Sequence, residues 1–336
     1  MSSSNKLSSF IKIGTAGNDD NNKRVDRIIR TIIPSLSLGS IYKEIRLARI
    51  RINGKKTASG NRINTGDSID IHKSLAEIVK TDIEKISLKK EKKGINSDFS
   101  KLKIEILFEN SLFIAVNKPS GILIHAGATG ATLDDAVKDL LIEKTQQSLA
   151  FSPAPLHRLD KETSGIVFFS KSIEGARIFT LFLRKKKFIK KYIALLDGHL
   201  SKNCTWKDFL AREETDKEAH DNKSKEAITH IEPLLYSSGH TLALVEIETG
   251  RYRQIRKQCS MHGFPLSGDK KYGGAALDLG KHCGFLLHCW KIEIKDKEES
   301  KELGFDTITA PLPHLFMNKI NTLFTKANIK KLFIFI

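Results

Sequence analysis

His157-Arg158-Leu159-Asp160-Lys161-Glu162-Thr163-Ser164-Gly165 sets one carboxylate, Asp160, beside an arginine and a histidine in a turn-like segment. Ala154-Pro155-Leu156 precedes it, and Ile166-Val167-Phe168-Phe169 follows as a short buried-strand pattern. A charged loop between buried strands is where chemistry collects, because the loop presents side chains while the sheet holds them still. A salt bridge on a surface connector produces the same local spacing. The rest of the chain has to separate these two readings.

Downstream, Ile173, Ala176, Phe179 and Leu183 mark one face of a helix running into Arg184-Lys185-Lys186-Lys187, where cations complement the helix dipole. Tyr192 to Leu196 reads as a strand ended by Asp197-Gly198, and Leu242 to Ile247 as another. Between them, residues 201–226 are polar and read as a surface excursion. Gln254 to His262 reads as a helix stopped by Gly263. Upstream, Leu112 to Val116 is a strand candidate broken at Pro119-Ser120-Gly121, and Thr132 is placed to cap a helix through Ile142. This mixed unit spans residues 103–336.

The N-terminal third is different. Residues 1–22 are polar and are expected to fray. Val25, Ile28, Ile29 and Ile32 form one apolar helix face closed by Pro34, and Ser37 or Ser40 is placed to cap a second helix. Arg49-Ile50-Arg51-Ile52 alternates in period two before the turn Asn53-Gly54, and Ser68 to Ile71 alternates again. With the isoleucines inward, Arg24, Arg27, Arg30, Lys43, Arg46, Arg49 and Arg51 face mostly outward, a basic face suited to phosphates. Residues 23–73 thus form a compact unit, and the lysine-rich residues 74–102 read as a basic linker.

Composition agrees with a polyanionic partner. The 336 residues carry 56 Lys and Arg against 39 Asp and Glu, a formal charge of +17. An AT-rich genome also favours Lys, Ile and Asn. Four cysteines without a CxxC pair fit a reducing compartment, and the repeat of His282-Cys283 and His288-Cys289 is not a zinc spacing. No apolar run approaches a membrane span, and the serine-rich start lacks a secretory core, so the cytoplasm is the expected location.

Two further segments stand beside the opening one. They are Lys190-Lys191-Tyr192-Ile193-Ala194 and Thr249-Gly250-Arg251-Tyr252-Arg253-Gln254-Ile255-Arg256, the latter continuing through Gly263 to Asp269 and Tyr272-Gly273. Together the three resemble the RluA-type pseudouridine synthases over roughly residues 103–320. Residues 22–73 separately resemble the small RNA-binding domain shared with ribosomal protein S4, a pairing similar to the synthases that act on large-subunit ribosomal RNA. The resemblance implies an α+β fold: a catalytic domain with a mostly antiparallel mixed sheet and flanking helices, plus a small N-terminal α+β RNA-binding domain. It implies an isomerase acting on ribosomal RNA, monomeric, with no cofactor, metal, DNA or membrane partner. A transfer-RNA uridine synthase of the same fold and a non-catalytic ribosome-assembly factor are the alternatives.

Making pseudouridine breaks the N1 glycosidic bond, turns the base and joins C5 to the same sugar carbon. A carboxylate can attack the sugar C1′ or the base C6. Asp160 is the candidate nucleophile, and Glu162 is read as structural or solvent-facing. The resemblance implies Arg256 as the charge partner of Asp160, Tyr192 as the ring that packs on the base, Arg158 as the filler of the gap left by the flipped nucleotide, and Ile255 as an apolar wall. Lys190, Arg251, Arg46, Arg49 and Arg51 are assigned to RNA, while Thr163, Ser164, Gly165, Gly250, Gly268 and Gly273 are read as shaping turns. Two positions depart from the family pattern: Arg253 and Gln258 stand where His is usual.

Overall fold

The alternation that marks strands in the sequence resolves into two separate sheets. The structure, a computed structural model, describes residues 9–82, 104–125, 132–142, 148–149, 151–211, 224–277 and 284–325. The N-terminal unit contains β1 (Phe10–Thr15), β2 (Lys23–Arg24), α1 (Val25–Ile32), α2 (Leu38–Arg46), β3 (Ile50–Ile52), β4 (Lys55–Lys56), β5 (Arg62–Ile63) and β6 (Ser68–His72). Four strands pair in the order β1-β6-β3-β4, and β2 pairs with β5. Val25, Ile28 and Ile29 of α1 meet Ile41 and Ile45 of α2 over Ile50, Ile69 and Ile71 in one buried core. Ser37 is the cap of α2, accepting the Ser40 N–H at 3.1 Å. Asn53 and Gly54 both have positive φ, as a tight two-residue hairpin turn between right-twisted strands requires.

Both edges of this unit differ from the sequence reading. Residues 10–15 do not fray: β1 pairs antiparallel with β6, and Ile13 packs on the core while Arg51 stacks over the Phe10 ring at 3.9 Å. At the other end, residues 76–82 are helical with Val79 and Asp82 buried, and Asp82 accepts from the Ser35 N–H and hydroxyl. Residues 83–102 of the expected linker lie outside the described residues.

The larger unit follows as β7 (Glu105–Glu109), β8 (Phe113–Lys118), α3 (Leu133–Ile142), β9 (Ser164–Ser170), α4 (Ile173–Arg184), β10 (Phe188–Asp197), β11 (Cys204–Leu210), β12 (Lys225–Ser237), β13 (His240–Ile247), α5 (Gln254–Met261), β14 (Leu287–Ile294), α6 (Lys297–Leu303), β15 (Thr307–Thr309) and α7 (His314–Leu323). Nine strands form one mixed sheet, β11-β12-β13-β10-β14-β9-β8-β7 with β15 beside β14, antiparallel everywhere except between β14 and β9. The expected architecture is therefore observed. The polar excursion at 201–226 is corrected in part: β11 is the edge strand, with Trp206 and Leu210 buried and Thr205, Lys207 and Phe209 exposed in strict period two. Along β10 the same period sends Tyr192, Ala194 and Leu196 to one core, and Ile193 and Leu195 to a second core on the reverse face, closed by Phe316 and Ile320 of α7. Among the described residues no helix is long and apolar enough to cross a membrane.

Candidate active site

The site lies where β9 and β14 pair in parallel, with β10 on the other side of β14. At this junction Gly165 pairs with Cys289. Its φ is +110°, and a Cβ there would run into the Cys289 backbone. Gly165 therefore permits close strand approach and does not shape the preceding turn. Ser164 is also part of β9: its hydroxyl bonds His288 Nδ1 at 2.8 Å, and His288 Nε2 donates to the Ala310 carbonyl at 3.2 Å.

The turn itself is Asp160 to Thr163, closed by the Thr163 N–H on the Asp160 carbonyl. The end of β8 straps it from below. Lys118 is fully buried, and its Nζ donates to the carbonyls of Pro119, Lys161 and Thr163 at 2.9, 2.8 and 2.7 Å. Ser120 Oγ donates to the Glu162 carbonyl, and Glu162 Oε2 accepts the Gly284 N–H, so Glu162 serves the loop's own structure. His157 Nε2 accepts the Phe168 N–H at 3.2 Å, which leaves the ring proton on Nδ1. Burial, with Lys190 nearby, pushes its pKa well below the ordinary value, and the ring is neutral.

Asp160 meets Arg256 across this loop, with Arg256 Nη1 donating to Oδ2 at 3.2 Å. Arg256 sits in the first turn of α5, and its position is fixed by Asp269. Nε and Nη2 donate to the two oxygens of that buried carboxylate at 2.7 and 2.8 Å, a planar fork that lysine cannot reproduce. The rings of Phe285 and Tyr272 lie 4.5 and 4.8 Å from the guanidinium carbon. Burial works against the charge, yet Asp269 and then Asp160 hold the Arg256 pKa above the ordinary arginine value. The start of α5 is anchored by Gln254, which accepts from Thr249 Oγ1 and the Arg251 N–H and donates to the Ile228 carbonyl and Thr229.

A cleft of about 410 Å³ opens over this pair, lined by Asp160, Arg158, Lys190, Tyr192, Arg251, Ile255 and Arg256 among others. Tyr192 is buried, and burial first, then Cys289 and Asp160, push its pKa well above the usual phenol range. Lys190, two residues back on the same strand face, has its pKa lowered by burial. Arg158 is exposed, and Arg251 is exposed with its Nε on the Glu226 carbonyl at 2.8 Å. Seven of the ten expected site residues thus share one cleft. Arg46, Arg49 and Arg51 do not; they belong to the N-terminal unit, where Arg49 pairs with Glu44 at 3.3 Å and Arg51 donates to the Ala48 carbonyl. Lys118 and Asp269 went unassigned in the sequence. Asp269 closes the run Leu266-Ser267-Gly268-Asp269, a signal that was available, whereas Lys118 carried only its place before Pro119-Ser120-Gly121.

With this geometry in view, comparison with known proteins is informative. The RNA pseudouridylate synthase family matches residues 112–261. A protein named ribosomal large subunit pseudouridine synthase C from Rickettsia bellii is 31% identical over 313 residues, spanning 87% of this chain and 95% of the relative. One of the same name from Buchnera aphidicola subsp. Baizongia pistaciae is 30% identical over 318 residues, spanning 90% and 94%. Among solved structures, human RNA pseudouridylate synthase domain containing 4 shares the fold with a TM-score of 0.53 at 20% identity, over 64% of this chain and 91% of that one. The matched region contains the Asp160 loop, Tyr192 and Arg256, and the chain belongs to the RluA-type RNA pseudouridine synthases, which are isomerases.

Proposed function

We propose that this chain isomerises uridine to pseudouridine in large-subunit ribosomal RNA with Asp160 as its nucleophile. The observation that carries this reading is the contact of Asp160 with Arg256 at 3.2 Å on the wall of an open cleft. The guanidinium holds and orients the carboxylate that would attack at C1′ or C6. Ile255 and Tyr192 supply apolar and aromatic surface to a base turned out of its stack, a step that costs a few kcal/mol. When C5 bonds to C1′ it gives up a proton, and N1 gains one. Burial keeps Tyr192 a neutral phenol, which suits stacking. The carboxylate freed when C5 takes C1′ is a base in the same cleft for the C5 proton. Arg158 and Arg251 meet RNA at the rim, Lys190 meets it deeper in the cleft, and the N-terminal unit is an S4-like RNA-binding domain presenting Arg46, Arg49 and Arg51. The choice of large-subunit RNA rests on the names of the relatives.

The test is Asp160→Asn on in vitro transcribed large-subunit RNA, with pseudouridine scored chemically. The variant is expected to bind RNA and form no pseudouridine. Wild-type turnover by the variant would overturn the role of Asp160.

A further inference from the structure

A second cleft, of about 1280 Å³, opens between the N-terminal unit and the catalytic unit. One wall carries Lys23, Arg24, Arg27 and Arg62, and the other Lys171, just before α4, and Arg177 within it. Arg24 pairs with Asp26, and Lys171 with Glu109. Among the described residues Lys23, Arg27 and Arg177 form no ion pair, and Arg27 and Arg177 are exposed. Arg62 donates to the Asn22 carbonyl, which leaves its charge uncompensated.

The two walls are held together by a built contact. Asp19 Oδ1 accepts the Ile173 N–H at 2.9 Å, at the first residue of α4. Asp20 is fully buried and accepts from the Ser148 hydroxyl and the Leu149 N–H, both at 2.8 Å. Leu149 packs on the N-terminal core and covers Gly14, where a Cβ would collide with it. Two carboxylates and an apolar plug set the width of the cleft.

Helix α4 links this cleft to the catalytic one. Its twelve residues span about 18 Å, and Leu183 and Lys186 at the far end line the catalytic cleft. Arg177 and Arg184, seven residues apart, lie on one face, and both are exposed. We propose that the interdomain cleft is a second phosphate-binding site for the RNA whose uridine enters the catalytic cleft. The cleft grips that RNA's backbone roughly five base steps away, at ~3.4 Å of rise per step, and the outer face of α4 is the track between. This deepens the reading of the chain as an enzyme acting on ribosomal RNA and rests on it. Neither Arg27 nor Arg177 approaches the reacting atoms.

The experiment uses the full-length double variant Arg27→Ala/Arg177→Ala with a large-subunit RNA transcript. KM for the transcript is expected to rise about tenfold at physiological salt with kcat unchanged, and the slope of log K against log salt to become shallower by about 1.8, for two lost phosphate contacts. The variant Arg27→Lys/Arg177→Lys keeps both charges and is expected to restore KM and slope. An unchanged KM and slope in the alanine variant overturns the proposal, as does a loss confined to kcat. Wild-type protein that isomerises the transcript no better than the double variant, by both measures, sinks the cleft assignment alone. Wild-type protein that binds the transcript through these arginines yet leaves no pseudouridine in it sinks the functional reading and keeps the cleft.

Discussion

Replacing Lys118 with methionine tests how the Asp160 loop is held. The side chains are similar in length, so the cavity changes little, but the ammonium and its three donors are lost. The Thr163 carbonyl is buried and those of Pro119 and Lys161 partly so. Carbonyls left short of a donor cost about 1–3 kcal/mol each, against which losing a buried ammonium relieves part of a desolvation cost that is itself several kcal/mol. The net destabilisation is on the order of 3 kcal/mol. Because two of the carbonyls lie one and three residues after Asp160, that carboxylate moves with them. A displacement of about 1 Å is sufficient for a loss near 100-fold in rate. Urea denaturation measures the first quantity, and single-turnover pseudouridine formation the second. A variant within about 0.5 kcal/mol of wild type, an ordinary surface effect, and within threefold in rate would refute the strap.

Arg256→Lys removes the fork on Asp269 and cannot also reach Asp160; the single-turnover rate is expected to fall at least 100-fold, on the scale of losing one preorganised charged group. Gly165→Ala forces a methyl group into the Cys289 backbone at a φ of +110° and is expected to cost about 3 kcal/mol in denaturant unfolding. Burial lowers the His288 pKa to about 4. As pH falls below the ordinary value near 6.5, the unfolded chain takes the proton first, and stability declines until the folded pKa is passed, by about 3 kcal/mol in all. Denaturation midpoints from pH 7 to 4 measure this slope, and it should be visibly flatter in His288→Asn.

What was legible in the sequence is what local pattern encodes. The helix faces of α1 and α4, the helix α5, the strands β10 and β13 and the loop from Leu156 to Thr163 are legible because each announces itself within about ten residues. Strands β1 and β11 did not. Phe10 to Thr15 carries two isoleucines among polar residues, and β11 interleaves Trp206 and Leu210 with charge, so each needed a partner strand to become a strand. The site divides the same way. Asp160, Tyr192 and Arg256 stood in recognisable runs, but the residues that fix them act across long separations: Lys118 reaches carbonyls 43 and 45 residues away. The sequence reading puts Gly165 in a turn, whereas it lies in β9, and the backbone that excludes its Cβ belongs to Cys289, over a hundred residues downstream.

Arg253 and Gln258, the two positions where the resemblance leads one to expect histidine, both sit in intact networks. Gln258 is fully buried, accepts from Thr229 Oγ1 at 2.6 Å and donates to Asp208 at 2.7 Å. One turn later His262 bonds the same Asp208 carboxylate at 3.1 Å and stacks on Trp206. Arg253 has a φ of +52°, a left-handed conformation that histidine adopts more readily than arginine. Its compensations are the Tyr252 ring at 4.5 Å and a hydrogen bond to Tyr272. Tyr272 in turn faces the Arg256 guanidinium, so the substituted residue touches the ring that packs on the charge partner of Asp160. Arg253 therefore acts on the support of Arg256 through Tyr272, and the contact between Arg256 and Asp160 is in place.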